Sequence, residues 1–178
     1  MEIVVPEEFK DLYVTNSQRR VVKIPAPVLR QVAAPITKIT KRTLLLIDDM
    51  MRTMKTANGV GLAAPQLAVL QRIIVVAPEG MKATAMINPR IIKAEGEQIG
   101  QEGCLSIPAL YGDVKRYQYV EVEAADRRGR TYVFELEGMP ARVAQHEIDH
   151  LDGILFIDKV DPKTLHWADP DFSETDEE

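Results

Sequence analysis

The sequence predicts an α+β fold in which most strands pair antiparallel. Two stretches have apolar residues at helical spacing, and several short β-rich stretches lie between and around them. Helices and strands do not alternate strictly, as they would in a doubly wound fold. The chain has 178 residues, of which 46% are apolar, so it is long enough for one domain with a substantial core.

The first predicted helix starts after Thr40, whose hydroxyl can cap it, and stops at Asn58-Gly59. Apolar side chains recur every three or four residues and share one face: Leu44, Ile47, Met51 and Met54. We interpret these methionines as core residues rather than ligands. The second helix is predicted from Pro140 to Leu151, with Gly153 at its end.

Short β-rich runs supply the predicted strands. They are Ile73–Val76, Ala85–Asn88 ended by Pro89, Tyr119–Ala125, Thr131–Leu136 and Ile154–Ile157. Between the third and the fourth, Asp126-Arg127-Arg128-Gly129 has the composition of a hairpin turn.

Composition and charge restrict the organisation and the class of function. We expect an N-terminal arm over residues 1–20, one catalytic domain over 21–165 and an acidic C-terminal tail over 166–178. A net charge of −5 disfavours direct recognition of nucleic acid. Apolar runs are too short to span a membrane, and no secretory signal is evident, so we expect a cytoplasmic location.

The segment His146-Glu147-Ile148-Asp149-His150 has the H-E-x-x-H spacing of metal-dependent hydrolases. Residues four apart lie on the same face of a helix, so both imidazoles can bind one ion. Glu147 would then lie close to the open coordination position, where it can take a proton from water. His146 and His150 are therefore predicted ligands, and Glu147 is the predicted general base.

A catalytic zinc-type site needs a third protein ligand, and the sequence offers more than one. Phe156 stands where an extended histidine pattern would have its third histidine. Asp158 and Asp161 lie downstream, in what looks like a turn. We favour Cys104, the one cysteine of the chain, because a thiolate is a strong ligand and Gly103 before it indicates a tight backbone path.

A glycine-rich segment runs from Asn58 to Gln66. Gly59, Gly61 and Ala64 satisfy a loose dinucleotide-binding pattern, but the segment follows a helix rather than a strand. We interpret the glycines as positions where the backbone approaches a ligand, with Gln66 able to donate to an oxyanion.

Together, these motifs resemble the three ordered signatures of the peptide deformylases, G-x-G-L-A-A-x-Q, E-G-C-L-S and H-E-x-D-H. They stand here complete at Gly59–Gln66, Glu102–Ser106 and His146–His150. The segment Ile24–Arg30 also looks like the start of the family's domain, and the resemblance extends to about Asp158. It implies a metal-dependent hydrolase that removes the N-formyl group of newly made polypeptides and releases formate.

The resemblance also implies a role for each site residue. Cys104, His146 and His150 would bind the metal, typically ferrous iron, with zinc or nickel able to replace it. Glu147 would be the acid and base, while Gln66 and the backbone N–H of Leu105 would form the oxyanion hole. The backbones of three further residues would pair with the peptide: Val60, Gly61 and Gly103. The H-E-x-x-H helix would be central, packed against antiparallel strands, and the ribosome near the nascent-chain exit is an implied partner.

Three questions remain open at the level of sequence. A zincin-like protease with an acidic third ligand is one rival, and a binding protein with a closed structural metal site is another. Arg142 lies one turn before His146 and is interpreted as an ordinary solvated residue rather than a peptide contact. The two ends of the chain depart from the family, which leaves their contacts undetermined.

Overall fold

The computed structural model describes residues 1–170, so residues 171–178, which hold most of the predicted acidic tail, lie outside the described residues. Two α-helices are present, α1 (Lys41–Thr56) and α2 (Met139–Leu151). The strands are β1 (Gly61–Ala63), β2 (Ile73–Val76), β3 (Thr84–Glu95), β4 (Gln98–Cys104), β5 (Ile107–Arg116), β6 (Tyr119–Ala125), β7 (Thr131–Glu137) and β8 (His166–Trp167). Short 3₁₀ helices cover Glu7–Tyr13, Pro27–Arg30, Ala64–Leu67, Phe156–Asp158 and Pro162–Thr164.

The strands form two antiparallel sheets. The larger has the order β1-β2-β3-β6-β7, and the smaller has the order β4-β5-β8. Helix α2 packs against β1, β2 and β7, and α1 packs against β1 and β2. The predicted α+β class with antiparallel strands around a central helix is confirmed.

The larger sheet lies between the two helices, and β2 shows this most clearly. Ile74 and Val76 belong to the cluster that contains α2, whereas Ile73 and Val75 belong to the cluster that contains α1. Successive side chains of a strand point to opposite faces, so a strand covered on both faces is apolar throughout. This burial holds α2, and the residues it carries, against a rigid sheet.

Helix α1 has the predicted cap and most of the predicted face. The Thr40 hydroxyl accepts from the Thr43 backbone N–H, as the cap prediction required. The buried positions are Thr43, Ile47, Met50 and Met54. The predicted Met51 is partly buried and packs against the same cluster, whereas Met50, at the centre of that face, is fully buried.

The smaller sheet was not predicted as such. Strand β4 contains glycine, glutamine and glutamate, which have low strand propensity, so its pattern did not stand out. Its pairing with β5 ends in the register Cys104↔Ile107. The tight path predicted around Gly103 and Cys104 is therefore the turn of a β4–β5 hairpin.

Two predicted strands were wrong in part. The strand starting near Ala85 does not stop at Pro89 but runs to Glu95, because the ladder shifts register after Ile87 and Asn88 takes a positive φ of 52°. Ile154–Ile157 does not form a strand. Its residues enter a 3₁₀ helix, and the apolar side chains are buried against β5 instead.

The N-terminal segment contacts the smaller sheet. The Tyr13 hydroxyl donates to the Pro108 carbonyl at 2.9 Å, and the Phe9 ring stacks on Trp167 with centroids 5.7 Å apart. Within residues 1–170, neither α1 nor any other helix has the length and apolar character that a membrane span needs.

Candidate metal and catalytic site

Helix α2 presents its two histidines to the interior. It begins after Gly138 and ends near Gly153, whose positive φ of 71° and close approach to the Arg30 carbonyl suit only glycine. His146 and His150 lie one turn apart, with ring centroids 5.1 Å apart. Both are buried, so the sheet and helix together exclude water from one side of each imidazole.

Cys104 meets these histidines from the β4–β5 turn. Its Sγ lies 3.4 Å from His150 Nε2, and the ligand atoms of Cys104, His146 and His150 all lie within 4.8 Å of one another. Zinc-type ions bond sulfur at about 2.3 Å and nitrogen at about 2.0 Å, so a sulfur and a nitrogen at this separation can share one ion. In residues 1–170 this is the only such group of three or more ligand residues.

The two downstream acids do not join the group. Asp158 pairs with Arg30, with a second contact at 3.1 Å, and accepts from the Leu155 backbone N–H. Asp161 accepts from the Lys163 backbone N–H at the start of a 3₁₀ helix. The donor set is therefore one thiol and two imidazoles, which suits a divalent transition metal and leaves one position open.

A buried carboxylate fixes the orientation of His146. Glu102 Oε2 lies 2.8 Å from His146 Nδ1, which leaves Nε2 for a metal ion. Arg116 donates to both oxygens of Glu102, at 2.8 and 2.9 Å. Burial opposes ionisation of Glu102, but the hydrogen bonds with Arg116 and His146 outweigh it and hold its pKa far below the usual range.

Arg142 is part of the same cluster. Its Nη1 lies 2.8 Å from Glu102 Oε1 and donates to the Val114 carbonyl at 2.9 Å, and its residue surface is only 3% exposed. The interpretation of Arg142 as an ordinary solvated residue was therefore wrong. A buried guanidinium needs a counter-charge, and Glu102, on the neighbouring strand β4, supplies it.

The two histidines have different surroundings. Burial would lower the pKa of His146, but the neighbouring Cys104 and Glu102 raise it well above the ordinary value. Burial lowers the pKa of His150, whose Nδ1 has no hydrogen-bond partner among the described residues. His150 is therefore already a neutral imidazole, the form that binds metals.

Glu147 lies beside the ligands, is buried and borders the cleft. Burial raises the pKa of Glu147 to about 7. Its Oε2 has no hydrogen-bond partner among residues 1–170. A Cβ at Gly61 would overlap the Glu147 carboxylate, so glycine there is required by space. A carboxylate in this state can both accept and return a proton near neutral pH.

Gln66 is fixed by contacts on both ends of its amide. Its Oε1 accepts from the Ala63 backbone N–H at 2.9 Å. Its Nε2 donates to Ser106 Oγ at 3.1 Å and lies 3.7 Å from Cys104 Sγ. The amide donor is thus held beside the ligand sulfur, where a developing oxyanion could accept from it.

Several of these groups line one cleft of about 1110 Å³, namely Gln66, Glu102, Cys104, Arg142, His146 and Glu147. The cleft also includes the remaining residues that the resemblance assigned to substrate: Val60, Gly61, Gly103 and Leu105. Val60 is 48% exposed, while a Cβ at Gly103 would lie 2.6 Å from the Tyr111 ring. The sequence reasoning therefore named residues that meet in one place, but it missed the supporting roles of Glu102, Arg116 and Ser106. Glu102 and Ser106 stood inside a recognised motif, whereas Arg116 carried no local signal.

Comparisons with known proteins agree with this geometry. The family model described as polypeptide deformylase matches residues 18–166. The peptide deformylase of Symbiobacterium thermophilum is 55% identical over 141 residues, which are 78% of this chain and 65% of that protein. The peptide deformylase of Halothermothrix orenii is 55% identical over 139 residues, which are 78% of this chain and 90% of that protein.

Solved structures give the same result for the fold. A peptide deformylase from Legionella pneumophila has a TM-score of 0.78 at 39% identity, over 82% of this chain and 87% of that chain. A peptide deformylase from Thermotoga maritima has a TM-score of 0.78 at 40% identity, over 80% of this chain and 97% of that chain.

Proposed function

Because this chain belongs to the polypeptide deformylase family, we propose that Cys104, His146 and His150 hold a divalent metal ion and that Glu147 moves the protons of the reaction. The chain is a metal-dependent hydrolase that removes the N-formyl group from the N-terminal methionine of newly made polypeptides and releases formate. The observation that carries the residue assignment is the meeting of the three ligand atoms beside the buried Glu147 carboxylate, whose Oε2 has no hydrogen-bond partner among residues 1–170.

A bound divalent ion would lower the pKa of water and polarise the formyl oxygen. Glu147 accepts a proton from the attacking water, which its raised pKa suits, and later donates it to the leaving amine. The Gln66 amide and the Leu105 backbone N–H stabilise negative charge on the formyl oxygen. The hydrogen bonds that hold Gln66 support this role, because a fixed donor does not need to reorganise during the reaction.

Substrate contacts follow from the same cleft. Val60, Gly61 and Gly103 would pair with the peptide backbone as an added strand would. A related enzyme from Acinetobacter baumannii was solved with Met-Ala-Ser bound, and one from Synechococcus elongatus was solved with actinonin. These relatives support a binding site for a short extended ligand in this cleft.

We propose that the resident ion is ferrous iron, with zinc or nickel able to replace it. The Cys-His-His set suits all three ions. A ferrous ion and a thiolate ligand are both oxidisable, so activity should decay in air. Metal analysis of anaerobically purified protein tests this proposal, and activity that survives prolonged peroxide treatment would contradict it.

The domain division into 1–20, 21–165 and 166–178 is retained as a proposal. Newly made formylated chains are produced by ribosomes in the cytoplasm, so we propose a cytoplasmic location and the ribosome, near its nascent-chain exit, as a partner. Co-sedimentation of the protein with ribosomes, at rising salt, would test the partner.

The deciding experiment is an anaerobic formate-release assay on a formyl-methionyl peptide, with metal analysis of the same sample. Glu147→Ala should keep its metal and lose roughly 10²–10⁴-fold in turnover. Cys104→Ala should lose metal and activity together. Glu137→Ala is the matched control, because this exposed glutamate on β7 lies outside the cleft. Near-full deformylation by Glu147→Ala would refute the assignment of the base.

The two rival functions lose support. Asp158 and Asp161 are engaged elsewhere, so the protease rival has no acidic third ligand there. A closed structural site needs a fourth protein ligand, and the ligand group in residues 1–170 has three members.

A further inference from the structure

Several of the chain's first 23 residues line the catalytic cleft. Leu12 and the segment from Ser17 to Val21 line the same cleft as Cys104 and Glu147. The contacts of Tyr13 with Pro108 and of Phe9 with Trp167 fasten this segment to β5 and β8. The N-terminal segment is therefore in a position to contact whatever occupies the cleft.

Lys23 is fixed close to the reacting groups. The backbone N–H of Val22 donates to the Gln66 carbonyl at 2.8 Å, and that of Ile24 donates to the Ser106 carbonyl at 3.1 Å. Lys23 lies between these two bonds, so its backbone is held against the residues on either side of the ligand sulfur. Its side chain lines the cleft.

The Lys23 ammonium group has no carboxylate partner among residues 1–170, and the nearest opposite charge would be that of the Cys104 thiolate. The side chain is half-buried, and its Nζ donates to the Val21 carbonyl at 2.6 Å. Within residues 1–170 it forms no ion pair with a carboxylate. Burial lowers the pKa of Lys23, as expected for an ammonium group that is partly removed from water. A carboxylate that reached this position would gain a partly desolvated partner.

Three further cations line the cleft near Lys23. Arg20 and Arg52 share one carboxylate, Asp49, at N···O distances of 2.5 and 3.5 Å. Among residues 1–170, the Arg19 guanidinium donates to a backbone carbonyl, that of Asp11, and to no carboxylate. We call this group the cationic wall: Arg19, Arg20, Lys23 and Arg52.

The charge of the cationic wall is opposite to that of the whole chain. Within the described part of the chain, its four positive charges face one half-buried carboxylate on the same wall, Asp49, and Glu79 is the exposed carboxylate of the cleft. The chain as a whole carries −5. A local excess of positive charge on an acidic protein attracts anionic groups to that place rather than to the general surface.

We infer that the cationic wall binds carboxylate groups of the peptide that follows the formyl-methionine, so that formyl peptides with acidic residues near their start are preferred substrates. The inference rests on the proposed function, because it concerns the same cleft. The carboxylate can belong to an Asp or Glu side chain or to the C-terminus of a short peptide. Lys23 and its neighbours are specificity residues here and not catalytic ones.

The test compares three peptides in the formate-release assay with metal-loaded protein. They are formyl-Met-Ala-Glu-Glu-amide, formyl-Met-Ala-Gln-Gln-amide and formyl-Met-Ala-Gln-Gln with a free C-terminus. We expect kcat/KM for the glutamate peptide to exceed that for the glutamine amide about fivefold, which corresponds to a few exposed charge pairs. The third peptide shows whether a terminal carboxylate is sufficient. The preference should shrink with rising salt, because these charges are exposed to screening.

Variants identify the source of the preference. Lys23→Met and Arg19→Met should each lower the ratio of glutamate to glutamine kcat/KM, through KM, while Lys23→Arg should restore most of it. Using two sites protects the test if one variant folds poorly. Lys163→Met is the matched control, since this exposed lysine lies outside the cleft, and its ratio should equal that of the parent protein.

Two results would overturn the inference alone, and a third would refute the proposed function as well. Equal kcat/KM for the glutamate and glutamine peptides would do so while leaving the proposed function intact, because both peptides are still deformylated. If Lys23→Met and Arg19→Met both left the preference for the glutamate peptide unchanged, groups outside the cationic wall would be responsible for it. Failure to deformylate any peptide would refute the proposed function and the inference together.

Discussion

Two clusters of charge border the catalytic cleft, one buried beneath its wall and one along it, and both are built from arginine and carboxylate side chains. In the buried cluster under His146, Arg116 and Arg142 both contact Glu102 at 2.8 Å. In the cationic wall, Arg20 contacts Asp49 at 2.5 Å. The distances are similar, but the Arg116 side chain is 2% exposed and the Arg20 side chain is 47% exposed.

Burial, rather than distance, decides what each cluster does. A charge that is removed from water is stabilised mainly by its partner of opposite charge. The buried side chains therefore keep their partners, and Glu102 holds His146 in one orientation. In an exposed ion pair, the free energy of the pair is close to that of the two hydrated charges, so either side chain can change partners at little cost. The first cluster therefore suits support of a metal ligand, and the second suits binding of a passing anion.

The largest expected effect is the loss of Arg116. Arg116→Ala removes both hydrogen bonds to Glu102 and the contact with Asp149. The buried carboxylate is left with less counter-charge, so we expect the free energy of unfolding to fall by about 3–5 kcal/mol. Urea denaturation measures this. Arg90→Ala, which removes an exposed pair with Glu123 at the same 2.8 Å, should have little effect. Equal losses for both variants would contradict the distinction.

Asp149 tests the edge of the buried cluster. It pairs with Arg116 and, at 2.8 Å, with Lys159, and its side chain is only 14% exposed. Asp149→Ala leaves Arg116 its main partner, Glu102, so we expect a smaller loss of about 1.5–3 kcal/mol. Asp48→Ala, at an exposed pair with Arg127, serves as the comparison. A loss larger than that of Arg116→Ala would reverse the proposed order of importance.

Glu102→Gln tests the link from the buried cluster to the metal. The amide keeps the volume but removes the charge that faces His146 Nδ1. We expect metal affinity to fall by roughly 10–100-fold, because an oriented imidazole is a better ligand. Competition with a chelator measures the affinity, with Glu123→Gln as the control. Unchanged affinity would show that the helix alone orients His146.

The smallest effect is expected at the cationic wall. Arg20→Ala should change the free energy of unfolding by less than about 1 kcal/mol, since the pair with Asp49 is exposed and Arg52 also contacts this carboxylate. The change should shrink further at high salt. A large loss that persists at high salt would place the wall in the same energetic class as the buried cluster.

The sequence predicted the parts of this site that depend on local periodicity or on a motif. His146, Glu147 and His150 share a helix face because of the helical repeat, and the Thr40 cap follows from local hydrogen bonding. The residue types and their local glycines indicated Cys104 and Gln66, and the family resemblance implied the same roles; the structure brings these two residues close to His150 and Ser106 respectively. Strand β4 escaped prediction because its glycine and polar residues lack a strand pattern.

By itself, then, the sequence determined the α+β class, the helix with its two imidazoles and the family of the chain. Each of these follows from the spacing of residue types or from short contiguous motifs. Only the tertiary structure decided that Arg116 and Arg142 share a buried Glu102, and that Lys23 lies beside Gln66 and Ser106. Those contacts depend on strand register and on the packing of the sheets, because both bring together residues that are far apart in the chain. Whether a charge is buried or exposed follows from the same packing, and for these arginines it was this burial that the sequence left undecided.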